Sequence, residues 1–194
     1  MIENTSYQLV LRRFRERRNP NPIPNRFPWQ SRIAMEELTQ LAIENLKSSG
    51  TETIRILTSR FPWEVYGQVP LRSSLEEFLK LGGQVRVLIW TESLDRNEIL
   101  LEALQSCAIE NGLRYLVSGT EEGGEELHHM FVVGESAYRF EAPHVSFKNV
   151  EFSELSPEVP ARISFNDAET ASHLIGYFEK LWEELEAKIV EVAE

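Results

Sequence analysis

The chain has 194 residues, of which 42% are hydrophobic and 26% charged, with a formal net charge of -11 and a single cysteine, Cys107. That length suits one domain with a core of its own, and the lone thiol excludes an internal disulfide. No apolar run approaches the roughly 18 residues that span a bilayer, and the N-terminus lacks a charged-then-apolar leader, so a cytoplasmic setting with no membrane span is expected.

The charge is unevenly spread. Residues 1–32 carry seven arginines against Glu3 and Glu16, a net of +5, and the other 13 basic and 29 acidic residues leave -16. Arg12, Arg13, Arg15, Arg17 and Arg18 therefore form a basic arm on an acidic body. Such an arm has the sign to bind nucleic acid or an anionic surface, and equally to dock on the acidic body of its own chain or a neighbour. Leu9, Val10, Leu11 and Phe14 within it call for a packing partner.

In chain order, residues 7–14 read as a strand or a short helix. Prolines at 20, 22, 24 and 28 make 19–29 an extended connector, so residues 1–30 read as an arm and 31–194 as the domain. Ser31 is the expected N-cap of a helix to about Ser48, with Ala34, Leu38, Leu41, Ala42 and Leu46 on its apolar face. A short strand is expected over Ile54–Leu57, then a loop to Pro70. Ser73 and Glu76 have the spacing of a capping box before a helix that Gly82-Gly83 stops. A buried strand follows over Val85–Trp90.

A helix over Asp95–Asn111 and a strand over Leu113–Val117 continue the alternation, and a glutamate-rich loop follows. Leu127–Val133 and Ser136–Glu141 read as two strands about a tight turn at Gly134-Glu135. Residues 145–165 hold one or two short strands, and Asp167 caps a last helix with Ala171, Leu174, Ile175, Phe178 and Trp182 inward. Helices alternating with strands imply an α/β layered fold with a buried central sheet.

The segments "AIENLKSSGTETIRIL" and "SSLEEFLKLGGQVRVLIW", the run "HHMFVVGE" and the closing "FNDAETASHLIGYFEKLWEE" together resemble one phospholipase D-like domain, from about Ile33 to Trp182. The family signature is His-x-Lys-x4-Asp. Here His128 falls on the histidine, Met130 on the lysine and Glu135 on the aspartate. The resemblance implies a mixed central sheet flanked by helices. It also implies phosphodiester transfer through a histidine nucleophile, a second histidine as acid, and lysines on the phosphate oxygens. One motif copy implies that two histidines meet only in a homodimer.

Methionine carries no charge and donates no hydrogen bond, so the lysine's role is vacant. Met130 shares a strand face with His128, which puts the loss inside the site. Arg139 and Glu141, two apart on the next strand, are a substitute cation with its neighbour if they face His128, and otherwise a pair satisfied by each other. Asn166, in the closing segment, completes the binding candidates. The expectation is a catalytically inactive phospholipase D-like protein that binds or regulates a protein partner as a homodimer. The alternatives are a dimeric phosphodiesterase or nuclease acting through His128, Glu135 and Arg139, and a nucleic-acid-binding protein using the arm.

Other groups carry weaker signals. His128, His129, Glu141 and His144 fit no zinc spacing, so neither metal nor cofactor is expected. "GTEEGGEE" lacks the lysine of a phosphate loop. The two "RFPW" copies, Arg26–Trp29 and Arg60–Trp63, read first as aromatic plugs on the core, with base or partner contacts as the alternative.

Overall fold

A computed structural model describes residues 2–59, 61, 63–91, 97–119, 128–142 and 160–193. In order these form α1 (Ile2–Glu16), β1 (Ile23–Pro24), α2 (Pro28–Ser49), β2 (Thr53–Thr58), α3 (Trp63–Tyr66), α4 (Val69–Lys80) and β3 (Gln84–Ile89). They continue through α5 (Asn97–Cys107), β4 (Leu113–Val117), β5 (His129–Val133), β6 (Ala137–Glu141), β7 (Ala161–Ser164) and α6 (Ala168–Ala193).

The strands make one mixed sheet in the order β1-β7-β6-β5-β2-β3-β4. β2, β3 and β4 are parallel, and the other pairings are antiparallel. This is the α/β layered architecture expected from the alternating elements. α2 and α4 pack on one face of the sheet and α6 on the other. The larger core lies under α2, α4 and α5, and a second cluster lies under α6 around Leu57, Leu88, Met130, Val132, Phe178 and Trp182.

Two helix starts differ from the sequence reading. α2 begins before Ser31, with Pro28 in its first turn, where a missing N–H costs nothing. The Gln30 side chain accepts hydrogen bonds from the backbone N–H groups of Arg26 (2.8 Å) and Phe27 (3.1 Å), so Ser31 is released from capping. α4 likewise begins at Val69 with Pro70 in its first turn, which places Ser73 and Glu76 inside the helix rather than at its cap.

The segment read as a strand or short helix lies within α1, whose Leu11 is fully buried. The connector supplies β1, a two-residue edge strand on β7, where prolines are tolerated. Asp167 does cap α6: its Oδ1 accepts the Thr170 N–H at 3.1 Å. Burial pushes this carboxyl up, but hydrogen bonds from Thr170 and Tyr138 outweigh that and hold it below the usual range. Asp95 and Arg96, at the expected start of α5, and the expected loop and strand positions over 120–127 and 143–159 lie outside the described residues.

An arginine row fixes α6 to the sheet. Arg55, Arg86 and Arg114 are in register on β2, β3 and β4. Glu179 accepts from Arg55 Nε at 2.9 Å and Arg86 Nη1 at 2.6 Å, and Glu186 accepts from Arg114 Nη2 at 2.5 Å. The Arg86 guanidinium also lies 4.1 Å from the Trp182 ring centroid, a cation–π contact that covers the indole.

Candidate functional site

His128 and Met130 sit at the start of β5, beside the C-terminal end of β2. Thr58 of β2 lies next to this point, because Leu57 is the register partner of Met130. Sites in open α/β sheets gather at the C-terminal ends of parallel strands. Two-residue alternation along β5 then divides its side chains between the two faces.

Met130 and Val132 turn towards α6, and Phe131 and Val133 belong to the core under α2. Met130 is 2% exposed. Its cluster contains Leu57, Leu88, Val132, Ala171, Leu174 and Phe178, so the space around its side chain is filled with hydrocarbon. His128 lies at the rim of this cluster. Its ring is 5.0 Å from that of Phe140 and 5.9 Å from that of Tyr177. Its Nδ1 is shut off from solvent with no hydrogen-bond partner among the described residues.

Arg139 does not join His128. In the β5–β6 register Phe140 opposes Met130, Arg139 opposes Phe131, and Glu141 opposes His129. Paired residues on neighbouring strands point to the same side, so Arg139 and Glu141 face α2. Arg139 is buried, and its Nε and Nη2 donors are engaged there. Nε reaches Asn25 Oδ1 at 2.6 Å, and Nη2 donates to Ser31 Oγ at 2.7 Å and to the Glu141 carboxylate. Asn25 Nδ2 in turn donates to the Tyr7 hydroxyl at 2.8 Å, and burial pushes that phenol up to about 12.

The buried Tyr66 ring, stacked 4.1 Å from Phe61, borders the same group, and burial raises its phenol as well. This network joins α1, the β1–α2 connection and β6. Of the two readings of Arg139 and Glu141, the structure shows the mutually satisfied pair. The substitute-cation reading is corrected by the strand register.

The other candidates are also separated from His128. Glu135 is exposed in the loop after β5, at the opposite end of the strand. Five residues of extended chain from His128 to Val133 span about 17 Å, too far for Glu135 to orient the imidazole. Asn166 is exposed at that same far end, since the neighbouring Asp167 N–H donates to the Ser136 carbonyl at 2.6 Å. The acid, the histidine and the arginine of the expected catalytic set are therefore in three places.

His129, not His128, lies with polar groups. Its Nδ1 is 3.4 Å from Thr58 Oγ1 and its Nε2 is 3.4 Å from Ser59 Oγ, on the face that holds Glu141 and Arg139. Sequence reasoning passed over His129 because it sits outside the signature spacing. The period-two match between His129 and the Arg139/Glu141 face is the signal that identifies it. His144, the remaining member of the imagined metal cluster, lies outside the described residues.

The basic arm is largely occupied by its own domain. Arg15 pairs with Glu37 at 2.9 Å and with Glu44, Arg12 lies 3.9 Å from Glu37, and Arg18 donates to Asn45 at 2.9 Å. Burial raises the Glu37 carboxyl above its usual range despite Arg15 and Arg12. Arg13 and Arg17 stay exposed. Of the first "RFPW" copy, Trp29 packs on the core and stacks beside Phe27, with the Tyr7 ring on its edge at 5.6 Å.

At the opposite end of the parallel strands, a groove of about 660 Å³ runs between β3, β4 and α6, lined by Arg86, Arg114, Glu179, Trp182, Glu183 and Glu186. Its arginines are the ones already paired with α6.

No protein-family model matches this chain, and no curated protein matches it. Among solved structures it is similar to a polyphosphate kinase from Porphyromonas gingivalis, with a TM-score of 0.52 and 14% sequence identity over 89% of this chain. The chain spans 27% of the length of that kinase. The likeness is one of fold, a mixed sheet with flanking helices.

Proposed function

We propose that this chain is a phospholipase D-like domain that has lost phosphodiester chemistry and serves as a binding or regulatory module, working as a homodimer with a protein partner. The observation that carries this reading is the burial of Met130 among aliphatic and aromatic side chains. Phosphoryl transfer needs preorganised positive charge at the oxygens, and losing even one such contact costs about 2.7–4 kcal/mol of transition-state stabilisation. The position that should supply it holds a thioether, and the replacement read from the sequence, Arg139, is spent on Glu141, Asn25 and Ser31 on the other face. The docking of Arg12, Arg15 and Arg18 on α2 favours an arm that completes its own domain over one that grips nucleic acid.

The test is hydrolysis of a panel of phosphodiesters, chromogenic, nucleic-acid and phospholipid, by the wild type and by His128→Ala. Both are expected at the uncatalysed rate. Turnover that disappears in His128→Ala would overturn the reading.

A further inference from the structure

The last helix is longer than the sheet beneath it. α6 starts over β6, where the Tyr138 hydroxyl donates to Asp167 at 2.9 Å, and it crosses β2 and β3 at Glu179. It reaches the edge strand β4 at Glu186, the partner of Arg114. It then continues to Ala193. Seven residues at 1.5 Å each carry it about 10 Å past that contact, roughly two strand spacings. The inward positions Ala171, Leu174, Phe178, Trp182 and Leu185 are buried, and the same three-and-four spacing runs on in the sequence to Ile189 and Val192. The helix backbone thus outruns its own sheet.

The adjoining edge has matching features. Among the described residues, no strand flanks β4 on its outer side. Leu113–Val117 is a short, largely apolar strand without proline, and Tyr115 on it is 37% exposed. Edge strands of this kind pair with another chain unless something blocks them. The edge also carries both signs of charge: Arg114 on the strand, and Glu183 and Glu186 on the helix above it, are all at the surface. Arg114 pairs with Glu186 of its own chain, and Glu183 on the same helix is exposed; a two-fold axis at this edge sets two such patches of mixed charge face to face, which is the self-complementarity an isologous contact needs.

We propose that two copies pair through β4, antiparallel about Tyr115, to form one continuous sheet, with the end of each α6 laid over the partner's edge. The arrangement deepens the dimer of the proposed function and rests on that reading. It also gives the dimer a consequence. His128 precedes β5, three strands in from β4, so seven strand spacings of about 4.8 Å separate the two copies, or about 34 Å. Two histidines that far apart cannot share one phosphorus.

Light scattering and sedimentation over a wide concentration range test the interface, with thermal melting to monitor folding. The wild type is expected to be a dimer. Tyr115→Lys, an edge charge, should weaken association by about tenfold or more. Val69→Lys, at an exposed apolar position on α4, should leave it unchanged. In a Cys107→Ser background, Tyr115→Cys should cross-link to its mate on mild oxidation, and this readout stands even if the lysine variant fails to fold. A monomeric wild type, a dimer indifferent to Tyr115→Lys, or no cross-link would overturn the interface. A monomeric wild type would also remove the homodimer from the proposed function, whereas a dimer that ignores Tyr115→Lys or fails to cross-link overturns this interface alone; none of these outcomes bears on turnover.

Discussion

Placing at position 130 the lysine that the phospholipase D signature carries separates a filled core from an open cleft. Met130 is 2% exposed and surrounded by aliphatic and aromatic side chains. Met130→Lys forfeits about 2 kcal/mol of methionine burial. Burial in such surroundings also lowers a lysine pKa from about 10.4 by roughly 3 units, and at about 1.4 kcal/mol per unit this adds about 4 kcal/mol at pH 7. The total, about 6 kcal/mol, is comparable with the whole stability of many domains, about 5–15 kcal/mol.

The sign of the pH dependence follows from linkage. The folded pKa is depressed, so between about 7 and 10.4 the unfolded chain binds more protons and stability rises with pH. Denaturant unfolding of the variant and wild type at both ends of that window is the assay. The deficit should be near 6 kcal/mol at neutral pH and shrink to about 2 kcal/mol near pH 10.4. A deficit below about 1 kcal/mol at pH 7, with inorganic phosphate stabilising the variant, would refute the claim that hydrocarbon fills this position.

Three further perturbations follow from the geometry. Arg139→Ala removes the cation from the buried Arg139–Glu141 pair and should cost about 3–5 kcal/mol in denaturant unfolding, whereas Arg139→Met with Glu141→Leu should recover most of that loss. Leu11→Ala should cost about 2–5 kcal/mol, because the arm inserts a fully buried side chain; a neutral result would mean that the arm is not part of the domain. Asp167→Ala should cost about 1 kcal/mol as a lost helix cap. The Asp167 carboxyl is held below its unfolded value, so its contribution is present above pH 3.8 and lost as pH falls through the lowered folded value. Asp167→Asn should keep the cap and remove that acid dependence, and an unchanged acid limb would show that other groups set it.

The fold was legible because its signals are local. Apolar spacing, glycine stops and the Asp167 cap located most elements, and the alternation of strands with helices gave the layered α/β architecture. Two helix starts were misplaced because a serine suggested a cap where Pro28 and Pro70 set the first turns. The site was legible only in part, and the reason is a single residue of register. A two-residue turn at Gly134-Glu135 would oppose Arg139 to Met130 and put the cation beside His128. The loop instead takes Gly134, Glu135 and Ser136, with Gly134 at φ +54° and Val133 paired to Ala137. A slip of one residue exchanges the faces of a strand, so Arg139 and Glu141 pass to the α2 side and meet His129. Asn25, Ser31 and Tyr7 could not be seen in advance, because their link to Arg139 spans more than a hundred residues of sequence.

On the proposed reading, His128 does not attack phosphorus. The family reaction would leave a covalent phosphohistidine, which survives an alkaline quench and is read by intact mass. After incubation with a phosphodiester, an unmodified chain is expected. An adduct that maps to His128 and is absent from His128→Ala would contradict it.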